Sequence, residues 1–140
     1  MKHAVLRSIA HNLADNMGGG CGFLIGYYTM DVFGDARRSS GGVLELDILT
    51  GLCVEGAPSE ATLGAAALYS KALPDLCARQ GASVEAFKLL RVRFRSDAIG
   101  PSFEVIVEDA AGKRSVDRYV GWSCARPKFL DARGRIRTRR

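Results

Sequence analysis

The stretch Gly18–Phe33, GGGCGFLIGYYTMDVF, constrains this chain more than any other. Its glycines close whatever helix precedes them, because glycine readily takes the positive φ of a helix end. The residues behind them are rich in aromatic and β-branched types, which favour a strand. In a strand over Phe23–Phe33, Leu24, Tyr28, Met30 and Val32 point one way. Phe23, Ile25, Tyr27, Thr29 and Asp31 point the other, so both faces need cover.

Upstream, residues 2–17 predict a helix. Val5, Ile9 and Leu13 recur every four residues, and Leu6, Ala10 and Met17 widen the stripe. His3, Arg7, His11 and Asp15 form a second, polar row at the same spacing. Downstream, Gly34–Gly42 is rich in turn residues and reads as a hairpin connection. Val43–Leu49 alternates, with Leu44, Leu46 and Ile48 inward and Glu45 and Asp47 outward. Thr50–Pro58 reads as loop.

Ser59 has the chemistry of an N-cap for a helix over Glu60–Arg79, which Pro74 should kink or split and Gly81 should end. Three further strands are expected at Phe87–Arg95, Ser102–Glu108 and Arg114–Trp122, the last two joined by a tight turn at Ala110–Lys113. In the last strand Val116 and Val120 are read as inward and Tyr119 as outward. The order α-β-β-α-β-β-β predicts an α+β two-layer sandwich, a mostly antiparallel five-stranded sheet with two helices on one face.

Length and charge set the domain plan. A chain of 140 residues suits one core. At 47% hydrophobic and 25% charged, it has the composition of a globular protein rather than a disordered one. The net charge of +5 is unevenly placed. Residues 125–140 carry seven basic side chains and one acid, while the rest holds 13 basic and 14 acidic side chains. The reading is therefore one α+β domain over 1–124 and a basic C-terminal tail over 125–140. In ARGRIRTRR, Arg133, Arg135, Arg137 and Arg139 stand at every second position, with Arg140 last.

Several familiar chemistries lack their signatures. A phosphate loop leads from a strand into the start of a helix, whereas GGGCG follows a helix and precedes a strand. Cys21, Cys53, Cys77 and Cys124 are far apart and form no CxxC pair, so neither a dense disulfide framework nor a zinc site is expected. No cofactor and no metal are expected. The N-terminus has no unbroken apolar run, since Arg7 and His11 interrupt it; no membrane span is expected, and a reducing cytoplasm is the expected location.

Four residues are weak acid–base candidates: His11, one helical turn from Asp15, and Asp31, Glu45 and Asp47, which crowd carboxylates if the hairpin forms. Against that, Arg91, Arg93 and Arg95 show the same alternation on another strand and would form a cross-strand ion-pair ladder with the acids. The outer sheet face is expected to present Phe23, Ile25, Tyr27, Ile106 and Tyr119, a surface suited to a second copy of the chain. Arg91, Arg93 and Arg95 with the tail arginines Arg133, Arg135, Arg137, Arg139 and Arg140 are the candidate contacts for nucleic acid or another polyanion. The functional expectation is a small, non-enzymatic binding module, homo-oligomeric through its sheet, with a basic arm. The alternative is a small enzyme with an acid–base site in a sheet or subunit cleft.

Overall fold

The computed structural model describes residues 2–17, 23–25, 28–30, 32–97, 100–120, 128–130 and 136–138. In chain order the elements are α1 (His3–Met17), β1 (Phe23–Ile25), β2 (Tyr28–Met30), α2 (Val32–Arg38), β3 (Val43–Asp47), β4 (Leu52–Glu55), α3 (Glu60–Arg79), β5 (Phe87–Asp97), β6 (Gly100–Asp109), β7 (Arg114–Val120), β8 (Lys128–Leu130) and β9 (Ile136–Thr138). The fold is α+β. A five-stranded antiparallel sheet of order β4-β3-β5-β6-β7 carries three helices on one face. A second sheet has the order β2-β1-β8-β9, in which β1 and β8 are parallel.

Period-two alternation builds the core. Leu44 stands opposite Phe94 and Leu46 opposite Val92. Phe94, Val92 and Leu90 in turn face Phe103, Val105 and Val107. All eight are buried, together with Leu6, Ile9, Leu13 and Met17 of α1 and Tyr69 and Leu73 of α3. Phe33 of α2 meets Phe94 edge-to-face at a centroid distance of 5.6 Å, which ties that short helix to the sheet centre. α1 ends at Met17, just before Gly18.

Ser59 caps α3 as its chemistry suggests: its Oγ accepts from the Thr62 N–H at 3.3 Å. The Ser59 N–H and hydroxyl both donate to Oδ2 of the buried Asp35 at 2.9 Å, so α2 anchors the start of α3. α3 runs as one helix through Pro74, and Gly81 follows it at φ 70°.

Three expectations change. The run Phe23–Phe33 is not one strand: β1 and β2 are separate antiparallel partners, Ile25 opposite Tyr28, and neither belongs to the main sheet. Gly26, between them in the sequence, is the residue of that run least suited to a strand interior. The turn-rich stretch behind it instead contains a helix, α2, because Val32, Phe33 and Ala36 share an apolar side that the core buries. The fifth strand of the main sheet comes from the expected loop. β4 is an edge strand with Leu52 and Val54 exposed, so burial patterning gives it little signal. Two stretches of the basic C-terminal segment also form strands, β8 pairing with β1 and β9 with β8.

Candidate functional site

The two faces of the main sheet carry different chemistry. On the outer face, alternation sets acids and arginines opposite one another. Glu45 is 3% exposed and accepts from Arg93 Nε at 2.5 Å and from Arg91 Nη1 at 3.3 Å. Arg91 also reaches Asp47 at 3.4 Å, Arg93 reaches Glu55 at 3.8 Å, and Arg95 reaches Glu104 at 3.2 Å. Ile106 stands in register between Arg91 and Val116 and is 8% exposed, whereas Val116 is 50% exposed.

The helix face differs at the β7 edge. Here the polar row of α1 meets a polar row on the strand. His3 contacts Ser115, Arg7 contacts Asp117, and His11 contacts Asp117 and Tyr119. Steps of four residues on the helix therefore match steps of two on the strand. The geometry allows this because four helical residues rise about 6 Å and two strand residues about 6.7 Å. Helix and strand run in the same direction along this seam.

Arg7 clamps Asp117 with two hydrogen bonds, Nε to Oδ2 at 3.0 Å and Nη2 to Oδ1 at 2.6 Å. His11 Nε2 donates to the same Oδ2 at 3.0 Å, and the Tyr119 hydroxyl lies 2.5 Å from His11 Nδ1 and 2.9 Å from Nε2. The Arg7 guanidinium, and secondarily His11, hold the Asp117 carboxyl below the usual range despite its partial burial. Burial and the nearby Asp117 charge push the Tyr119 phenol up, so it keeps its proton at neutral pH. The Tyr119 ring stacks on Phe103 at 4.9 Å. A half-open pocket of about 210 Å³ sits here, lined by His11, Asn12, Phe103 and Tyr119.

At the other end of the seam, His3 is 8% exposed, with Nδ1 3.0 Å from Asp109 Oδ2 and Nε2 3.0 Å from Ser115 Oγ. A carboxylate only accepts, so Nδ1 carries the hydrogen, and the serine hydroxyl, which can donate or accept, completes the chain at Nε2. Asp109 Oδ1 takes the N–H groups of Ala111 and Lys113. Burial pushes this carboxyl up, but those hydrogen bonds and His3 outweigh it and leave it low.

The residues that sequence patterning singles out divide accordingly, and three of the expected outer-face residues need correcting. Tyr119 lies on the helix face, not the outer face. The parity of β7 is set by hydrogen bonding to α1, which turns Ser115, Asp117 and Tyr119 inward and leaves Val116 outside. Phe23 and Ile25 belong to β1, in the second sheet, and Tyr27 lies outside the described residues. Of the four expected outer-face residues that are described, only Ile106 stands on the outer face of the main sheet. His11 pairs with Asp117 across the fold. Glu45 and Asp47 are held by arginines, and Asp31 lies outside the described residues. Arg91, Arg93 and Arg95 each face a carboxylate. Arg137 is in β9, opposite Phe129; Arg133, Arg135, Arg139 and Arg140 lie outside the described residues.

Sequence patterning did not single out His3, Arg7, Asp109, Ser115 and Asp117 as a site. The signal was present in the polar i, i+4 row of the first helix and the matching alternate positions of the last main-sheet strand. Burial raises the pKa of both described thiols, Cys53 and Cys77, the opposite of activation. Among the described residues, no group of three or more His, Cys, Asp or Glu is arranged to hold a metal ion, and no helix is long and apolar enough to cross a membrane. No family model, no curated protein and no solved structure matches this chain.

Proposed function

We propose that this chain is a small-molecule-binding domain whose site is the pocket between α1 and β7. The observation that carries the reading is the combination of a stacked aromatic wall, Phe103 and Tyr119, with a polar rim of His11 and Asn12 around one half-open space. Size narrows the ligand. An apolar cavity of about 150 Å³ holds benzene, and drug-sized sites run from about 300 Å³ upward. A volume of about 210 Å³ fits one planar ring with a small polar substituent. Amide NMR titration with benzamide tests this: shifts should cluster around His11 and Tyr119 and shrink in His11→Ala. No shifts at millimolar benzamide, or shifts confined to the outer face, refute the reading.

A second reading, a small enzyme, is supported by Ser115, His3 and Asp109. Their atoms stand in the order of a nucleophile, a base and the carboxylate that orients it. Ser115 does not line the α1–β7 pocket, which favours the binding reading. A fluorophosphonate decides it. Attack of Ser115 Oγ on phosphorus would expel fluoride while His3 Nε2 takes the hydroxyl proton. The adduct should form on wild type and not on Ser115→Ala; no adduct removes this reading.

Two accessory contacts complete the proposal. The seven basic residues of 125–140 support a polyanion contact, which should weaken steeply with salt and be lost when Arg133, Arg135, Arg139 and Arg140 are changed to Gln. Exposed Val116 and Leu52 support self-association through the outer face. Sedimentation as a monomer at high concentration overturns it.

A further inference from the structure

The rim of the α1–β7 pocket can hold its protons in two ways. Asp117 only accepts, so His11 Nε2 carries hydrogen in both. With His11 neutral, Nδ1 is bare and accepts the Tyr119 O–H. The phenol oxygen then offers the pocket lone pairs alone, which suit a ligand donor and repel an anion. With His11 protonated, Nδ1–H donates to the phenol oxygen. The Tyr119 O–H is then free to donate into the pocket.

Charge follows the same switch. Arg7 and Asp117 are locked together by two hydrogen bonds and cancel. Neutral His11 adds no charge to the cancelled Arg7–Asp117 pair; protonated His11 puts one positive charge beside the pocket. The charged and titratable groups near His11 are Arg7 and, one turn further along the sequence, Asp15 on its own helix, and Asp117 and Tyr119 on β7. The strand residues that β5 and β6 turn into the core, including Phe94, Phe103 and Val105, are uncharged, and α3 brings Leu76 and Gln80 beside Asn12. β8, which also packs on α1, carries Lys128 in its sequence.

We propose that the pocket takes a single-ring aromatic carboxylate and that its binding takes up one proton at His11, an inference that rests on the ring-pocket reading above. The ring lies against Phe103 and Tyr119. The carboxylate accepts from the Tyr119 hydroxyl and neutralises the imidazolium.

Benzoate and benzamide form the deciding pair. They share the ring, but the amide is neutral and offers both a donor and an acceptor, so either arrangement of the rim serves it. On the full chain, calorimetry through the range where imidazoles titrate, about pH 5.5 to 8, should show benzoate affinity falling toward about tenfold per pH unit on the alkaline side. On that alkaline side, buffers of different ionisation enthalpy should report uptake approaching one proton per benzoate. Benzamide affinity should stay flat. His11→Gln should abolish the benzoate slope, and Tyr119→Phe should lower benzoate affinity more than benzamide affinity. Benzamide binding accompanied by pH-independent benzoate binding, or by none, overturns the inference and leaves the ring pocket standing. Failure of both ligands overturns the pocket reading and this inference with it.

Discussion

On the outer face Glu45 lies between Arg91 and Arg93; on the helix face Asp117 lies between Arg7 and His11. The groupings look alike on paper, a carboxylate held by two basic groups. Their surroundings separate them. The outer ladder is built from carboxylates and guanidinium groups alone, and each arginine is matched to an acid. The seam includes an imidazole, a phenol and an aromatic wall around open space. Mutually matched charges fix strand register; an imidazole beside a pocket can respond to a ligand. Charge clustering by itself does not mark a site. The space beside the charges and the ability of one of them to change do.

The largest test of that contrast is Phe103→Ala. Phe103 is both pocket wall and core, stacked on Tyr119 and packed against Phe33 and Phe94. The substitution should cost about 3–5 kcal/mol in urea unfolding as well as ring binding. A cost below about 1 kcal/mol would mean the pocket wall is not part of the core, and the seam would stand apart from the fold.

The ladder should respond more mildly. Glu45→Ala removes the shared acceptor of two arginines that remain partly exposed, so water takes over part of their solvation. The expected loss is about 1–2 kcal/mol, below the range for a fully buried pair, with ring binding untouched. Altered ring binding in this variant would break the functional separation of the two faces.

Acid should distinguish them more finely. Asp109 and Asp117 have carboxyls held low in the folded state. A depressed folded pKa gives stability that is fully present above the unfolded value, about 3.9, and is lost as pH falls through the folded one. Unfolding midpoints should therefore drop below about pH 4, and Asp117→Asn should flatten part of that drop. An unchanged acid profile in the variant would mean Asp117 is not held as described.

The same contrast explains how much the sequence disclosed. Strands whose two faces differ in polarity were legible: Val43–Asp47, Phe87–Asp97 and Gly100–Asp109 all sit where alternation sets them, and the Ser59 cap and the α1 stripe follow ordinary helix rules. Alternation misleads where both partners of a contact are polar. In β7 the inward residues are Ser115, Asp117 and Tyr119, because the facing row of α1 is His3, Arg7 and His11. A rule that equates apolar with inward turns that strand over, and with it Tyr119. β4 escaped because its edge position leaves it little apolar pattern, and the β1–β2 break escaped because one glycine interrupts an otherwise continuous β-signal.

The seam also orders assembly in time. His3, Arg7 and His11 meet partners 106 to 112 positions further along the chain. A ribosome releases α1 first and β7 only after the intervening chain has been made, so the nascent helix carries its histidines and Arg7 without their partners through most of synthesis. Closing so long a loop is a late and slow event. A nascent chain stalled after β6 would hold most of the apolar core and no seam, so the ring binding we propose would report a late step of folding.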